Sequence, residues 1–575
     1  MSLAAMLVPP ALLAAAAILS WSVGRAGVGA GRVVCAPAAW LAAGVEAVAW
    51  WWGGRVPLEL SLPFGLAGAP LGVKLDSSIF ALQMITLLAL ALLFTFQPRD
   101  PGRAALASLV GGVALGTLAA SSLSLTAFGL SVCSGLVWTA LAWDERTEVG
   151  ATWGALSLAW VLLLWAAVVL EVVGGTSVYS AVPVTALQAP VFLLLAAAAL
   201  LCAGALPWRT WVSLVWRRAR PASGSLAVAV LVPLGFSLLL RAYALGAGQW
   251  PGGWLHPLLA GLGAATALAA AGRAQAAGSV RAVRAEAVPL GAGLTLLGLA
   301  LGTPLGVAAA VLSLGGLGLV AGLVPLLPEG GLVASLGDAL AFGAPPALVF
   351  GGWLLCVQAA LEAGPVTGLM GLVGVFAWSV GLAAVARATW LPAPAARSGS
   401  PVGLAVGAGL LLAAGVGLGG LASLVAAPVA SDLAPPGSHG AAVSYLGGGA
   451  VGVTVPSGSW PAGALGGAVA IVGVVLLAIV GLLRRPGREP IRPLSGVEGE
   501  PARARRSVSA LEVKPLIEPP WRDLRDRLAT RLRGLRVPSQ YRSLVRPNAV
   551  AAAATRGRPW FWALVTLALA LVVTR

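Results

Sequence analysis

Apolar runs of about twenty residues, separated by short polar or arginine-bearing segments, recur along most of the chain, and a helix needs about that length to cross the hydrocarbon core of a bilayer. The pattern predicts about sixteen such helices, centred near residues 13, 43, 86, 112, 133, 162, 200, 235, 263, 293, 315, 350, 376, 414, 474 and 567. The first run, Leu3 to Val23, has no clear cleavage site and no basic residue ahead of it apart from the N-terminus. It reads as a retained helix, not a signal peptide.

Two runs are interrupted at matching places, five spans apart. The seventh breaks around Gly204 to Pro207 and the twelfth around Pro345 and Pro346. Broken helices in corresponding positions point to an inverted repeat. The expected fold is an all-α membrane protein with two inverted five-helix repeats, spans four to eight over 101–247 and nine to thirteen over 248–390. Spans one to three occupy 1–100, and spans fourteen and fifteen 391–484. An interrupted helix frees backbone groups that must face a wet or protein-enclosed path, although an ordinary packed proline kink has the same sequence signature.

After span fifteen the pattern changes. Residues 484 to 558 hold 17 arginines and Lys514 among prolines. Trp521, Leu524, Leu528, Leu532 and Leu535 recur there at helical spacing on an otherwise basic segment, predicting an amphipathic helix on a surface, whether anionic lipid or neighbouring helices. A short terminal span lies within 559–575.

Composition agrees with this reading: 59% of the 575 residues are apolar and 10% are charged. The formal charge of +16 is mostly a matter of topology. Alternate loops collect the arginines, from Arg25 and Arg32 through Arg217, Arg218 and Arg220 to Arg387, Arg397 and the tail, while the other side has Arg55, Lys74 and Arg241. Short cytoplasmic loops gather basic residues, which places the N-terminus outside and 484–558 in the cytoplasm, with lipid and not nucleic acid as the surrounding partner. The four cysteines, Cys35, Cys133, Cys202 and Cys356, lie singly in or beside apolar runs, without metal-ligand spacing, and read as packing residues. No nucleotide, flavin, haem or iron–sulfur motif is present, so no cofactor is expected and any redox reaction belongs to partner chains.

Several short motifs then appear in a fixed order: LPFG and VKLDS within Leu60 to Ser77, ALPWRTW at Ala205 to Trp211, LLLR at Leu238 to Arg241, and GAPP at Gly343 to Pro346. Together they resemble the antiporter-like membrane subunits of respiratory complex I, Mrp cation/proton antiporters and energy-converting hydrogenases, over roughly residues 55 to 390. The sixteen-span layout with a surface helix before the last span resembles the largest of these. The resemblance implies a prokaryotic plasma or inner membrane, partner membrane subunits (homologous antiporter-like chains among them), and ion movement along buried Glu and Lys side chains on spans five, seven, eight and twelve. Carried over by motif, those positions fall on Gly129, Cys202, Pro233 and, at or near it, Trp353. No lysine occurs between Lys74 and Lys514, so no shift of alignment restores one.

Buried lysine can exchange protons, whereas arginine stays charged and cannot relay them. Arg209, where the motif usually has histidine, could supply only fixed charge or an interfacial anchor. Glu46, Glu171, Asp338 and Glu362 remain in or near spans, and intramembrane carboxylates are default functional candidates. Asp338 and Glu362 lie toward opposite ends of span twelve, Glu171 late in span six, and Arg284 and Glu286 flank the start of span ten, where a local ion pair is expected. A structural, non-pumping paralogue within a complex I-like or hydrogenase-like assembly is the favoured expectation. Transport of protons or Na+ through Asp338, Glu362, Glu171 and Arg209 is the alternative, and a membrane partner in inorganic-carbon uptake a third.

Overall fold

A computed structural model describes residues 7–24, 31–66, 69–96, 100–143, 150–207, 210–218, 221–327, 332–345, 347–388, 401–417, 421–433, 443–445, 451–455 and 458–461. Arg209, the expected fifteenth and sixteenth spans and the basic surface helix around Trp521 lie outside them.

The first six apolar runs form α1 (Val8–Gly24), α2 (Ala36–Trp52), α3 (Ser77–Phe96), α4 (Pro101–Leu118), α5 (Leu123–Ala142) and α6 (Gly150–Gly174). Span seven divides into α7 (Ala189–Ala203) and α8 (Thr210–Arg218), and α9 (Pro221–Leu245) and α10 (Leu255–Ala276) follow. Span ten begins with a short α11 (Val280–Arg284) and continues as α12 (Ala287–Ala300), then α13 (Pro304–Leu323). Span twelve divides into α14 (Leu332–Ala341) and α15 (Leu348–Ala363), and α16 (Pro365–Ala388), α17 (Pro401–Val416) and α18 (Ala427–Asp432) complete the described helices. Ten helices among the described residues are long and apolar enough to cross a membrane, and three shorter apolar helices accompany them. This is a multi-pass membrane protein.

Small β elements, not expected from the hydropathy pattern, join the helices. Leu58–Leu66 (β1) and Ala69–Leu75 (β2) form an antiparallel hairpin ahead of α3, and β3 (Val443–Tyr445), β4 (Val451–Val455) and β5 (Gly458–Pro461) form an antiparallel sheet. Helix starts use short polar caps: Asp76 Oδ1 accepts from Ile79 N–H (3.0 Å), Ser122 Oγ from Leu125 N–H (3.2 Å) and Thr303 Oγ1 from Gly306 N–H (3.1 Å).

Lipid tails are as apolar as leucine, so these helices associate through close packing of small residues and not through the hydrophobic effect. At the α10–α12 crossing Gly263 and Gly293 face each other so closely that a Cβ on Gly263 would stand 2.6 Å from Leu297 N. Several buried hydroxyls return to their own helix, as Thr86 does to Leu82 O (2.9 Å) and Thr295 to Gly291 O (2.8 Å).

Inter-loop hydrogen bonds sort the connections into two ends. At one end the hairpin, the α4–α5 turn and the α6–α7 loop join, through Ser121 N–H to Gly72 O (2.9 Å) and Leu123 N–H to Ser177 O (2.9 Å). At the other, Arg281 Nε donates to Trp216 O (3.3 Å) and Arg387 Nη2 to Ala277 O (2.6 Å). Among the described residues, Arg217, Arg273, Arg281, Arg284 and Arg387 lie at this second end.

Candidate functional site

An ion path in this layout would use the backbone groups freed at the breaks in spans seven and twelve. Helix α7 stops at Gly204, whose left-handed φ of +67° suits glycine and turns the chain out of the helix. Several of the freed groups find protein partners: Ala205 N–H donates to Leu200 O (3.0 Å), Leu206 N–H to Thr266 Oγ1 (3.0 Å), and Leu201 O accepts from Trp211 Nε1 (2.7 Å). At the second break Ala344 N–H donates to Ala339 O (2.8 Å), and Trp378 Nε1 reaches Phe342 O (3.0 Å). Irregular backbone at membrane depth is tolerated when it is enclosed in protein in this way.

The four positions that the resemblance assigns to a relay are apolar and closely surrounded. Gly129, half-buried on α5, faces the Thr117 side chain so closely that a Cβ would collide with it. Cys202 is fully buried near the end of α7, and Pro233 is buried within α9. Two residues beyond Pro233, Gly235 brings α9 against α7: a Cβ there would lie 2.5 Å from Ala203 N and 2.7 Å from Ala199 O. Trp353 is fully buried on α15, with its ring over Gly343 and Gly291 and edge-on to Trp378 at 5.6 Å between centroids.

The remaining acids occupy separate environments. Asp338, on α14, takes a two-pronged ion pair from Arg284: Nε to Oδ1 at 2.5 Å and Nη2 to Oδ2 at 3.0 Å. Arg284 Nη1 also donates to Leu327 O (3.2 Å), so one guanidinium binds α11 to both α14 and the α13–α14 connection. Glu286 is fully buried and meets Arg217 at 3.0 Å and Arg273 at 3.2 Å. The sequence reading expected a local pair at Arg284 and Glu286. Both side chains reach other helices, Arg284 from the end of α11 and Glu286 from the residue just before α12, on either side of Ala285. The signal that could have found these partners is the accumulation of arginine at one end.

Glu171, near the end of α6, accepts from Ser177 Oγ (2.8 Å) and Ser124 Oγ (3.4 Å) at the opposite end of the bundle. Glu362 is exposed at the end of α15 and accepts from Gln358 Nε2 (3.1 Å). Glu46 is buried within α2 and its Oε1 has no hydrogen-bond partner. The described contacts connect none of Asp338, Glu171, Glu362 and Glu46 with another.

The motif arginine Arg241, on α9, supplies a further charge that the sequence reading placed only at a helix end. Its guanidinium donates to Thr126 Oγ1 (2.8 Å), Tyr179 OH (3.2 Å) and Leu118 O, and lies 4.5 Å from the centroid of the Tyr179 ring. It thereby ties α9 to the ends of α4 and α5 and to the α6–α7 loop.

No protein-family model and no curated protein matches the sequence. Solved structures do match by fold. A chain of the Mrp complex from Dietzia sp. DQ12-45-1b aligns over 96% of this chain with a TM-score of 0.67 and 21% identity, and the alignment spans 62% of that chain, under two thirds of its length. A chain of the membrane-bound sulfane sulfur reductase, an archaeal respiratory membrane complex, aligns over 99% of this chain and 100% of its own, with a TM-score of 0.68 and 18% identity. A chain of NADH-bound respiratory complex I from Thermus thermophilus aligns over 74% of this chain and 99% of its own, with a TM-score of 0.61 and 21% identity. These are chains within multi-subunit membrane complexes, and the present chain has the fold of the antiporter-like membrane subunits.

Proposed function

We propose that the chain is a non-pumping, structural member of a multi-subunit membrane assembly, holding the place of an antiporter-like subunit beside other membrane chains. The observation that carries this reading is the packing at the relay positions. Gly129, Cys202, Pro233 and Trp353 offer no ionisable group that exchanges protons in a relay, and at Gly129 and at Gly235, beside Pro233, neighbouring atoms stand too close to admit even a Cβ. The protein hydrogen bonds that close part of the breaks at Gly204 and Gly343 support the same conclusion. The layout proposed with it has sixteen spans, with spans four to eight and nine to thirteen as inverted repeats. The two breaks five spans apart support that arrangement, and the arginine-rich end faces the cytoplasm by the positive-inside rule.

The test is ion flux in proteoliposomes containing the purified chain, alone and with the membrane chains that co-purify with it. Proton and Na+ flux should match protein-free vesicles for the chain alone, and for the assembly should not change with Glu362→Gln or Glu171→Gln. Flux abolished by either variant would overturn the proposal and establish a rearranged pathway. Asp338→Asn is a poorer probe, because Asp338 also holds Arg284.

A further inference from the structure

Glu46 stands in the middle of α2, with roughly 15 Å of helix before it and 9 Å after it. It is 1% exposed, and it has neither a hydrogen bond nor an ion pair among the described residues. Among the described residues, the elements that pack most closely on α2 are α1, α3 and the π-helical turn Gly31–Cys35. Neither α1 nor α3 contains an Asp, Glu, Lys, Arg or His. The turn contributes Arg32, about 20 Å along the chain axis from Glu46, and Cys35, whose thiol is directed to Ala104 O. Ahead of α3, Lys74 and Asp76 pair with each other at 3.4 Å.

The surroundings are short of donors as well as of countercharge. Trp50 of α2 stacks on Phe80 of α3, with centroids 5.1 Å apart and ring planes 12° from parallel. Counting one turn back along α2 from Trp50 and one turn on along α3 from Phe80 reaches Glu46 and Met84, whose neighbour is Gln83. The Gln83 amide donates to Leu115 O (3.0 Å), and its Oε1, like Glu46 Oε1, is buried without a donor. An ionised carboxylate left unpaired in such a place would cost many kcal/mol, and the group neutralises instead. A proton is the ligand that turns one of these surplus acceptors into a donor.

We propose that Glu46 is a buried proton-binding site, held as the neutral acid at rest, on a helix apart from those that would carry a relay. It binds a proton without conducting one, since no second titratable group stands beside it on α1 or α3. The inference does not depend on the non-pumping reading, because it concerns occupancy and not flux.

Infrared difference spectroscopy of the purified chain tests it. Subtracting the Glu46→Gln spectrum from wild type at neutral pH should leave a single protonated-carboxyl carbonyl band, and a difference containing only carboxylate bands would overturn the proposal. Dicyclohexylcarbodiimide provides a second measurement that needs no variant. The neutral carboxyl adds its O–H across one C=N bond to give an O-acylisourea, whose acyl group then migrates to nitrogen as a stable N-acylurea, with every atom retained and no redox change. Peptide mass mapping in mild detergent should place the adduct on Glu46 and find less of it as pH rises. No adduct at Glu46, or an adduct blocked by Na+ at constant pH, would overturn the proposal, the latter by making a metal cation the ligand.

Discussion

The sharpest quantitative consequence concerns the Arg284–Asp338 pair. Changing Asp338 to Asn keeps the side-chain shape but leaves Arg284 charged, with only 8% of its side chain exposed. Two charge-assisted hydrogen bonds, at 2.5 and 3.0 Å, lose their anionic acceptor, while the bond to Leu327 O remains. Both side chains are less than a tenth exposed, so the reduction that solvent imposes on surface pairs does not apply. Removing one partner of a buried pair costs about 3–5 kcal/mol. Replacing both, as Arg284→Met with Asp338→Leu, removes the desolvation cost together with the attraction and should return stability to within about 1 kcal/mol of wild type or above it. The assay is denaturant unfolding of the purified chain in mild detergent, followed by the fluorescence of its 22 tryptophans, with the two single variants and the double forming a cycle. Asp338→Asn within about 1 kcal/mol of wild type, or a double variant as weak as the singles, would refute the reasoning.

Two other predictions concern packing. Gly263→Ala places a Cβ 2.6 Å from Leu297 N and should lower stability by about 1–3 kcal/mol, whereas Gly272→Ala on the same helix meets nothing within 4 Å and should leave stability level or raise it by up to about 1 kcal/mol, both read by the same unfolding assay. All four cysteines are buried thiols outside any disulfide, so a maleimide should label none of them in mild detergent and all four in SDS; rapid labelling of Cys202 in the folded chain would show that the centre of span seven is wet.

Much of the architecture was legible in the sequence because membrane helices announce themselves by length and apolarity alone. The centres near 13, 43, 86 and onward to 414 fall within helices of the structure. Arginine alternation was a second, independent record, since a miscounted span would have mixed the two ends that the loop hydrogen bonds separate. The breaks were visible as Gly204 to Pro207 and as the glycine–proline run at Gly343, because few other residues end a helix inside an apolar run. Side-chain partners were not legible. Arg284 and Asp338 are separated by 54 positions, and nothing periodic links α11 to α14. The solitude of Glu46 was equally hidden, for it depends on which helices pack against α2. The missing relay lysines were plain from composition, but what occupies their place was not: the approach of α9 to α7 at Gly235 is a property of the pair and not of either run.

On the proposed non-pumping reading, the lack of a lysine relay and the retention of the fold share a physical cause. A membrane bundle gains stability from direct helix contact, and a conducting row of lysines and waters works against it by holding helices apart. Once transport is not required, substitutions that let the helices close are favoured, and Gly129, Cys202 and Gly235 are small residues at such contacts while Trp353 fills volume. Charge is then free to concentrate where it orders the ends. Arg284 with Asp338, and Glu286 with Arg217 and Arg273, fix one end. Arg241 fixes the other, with hydroxyls, a carbonyl and an aromatic ring in place of a carboxylate. A guanidinium cannot shed its charge, so Arg241 both clamps four segments and sets a standing positive potential against any cation approaching along α9. The arrangement that keeps the frame rigid therefore also opposes cation entry, and placing a lysine at position 202 alone would leave that barrier in place.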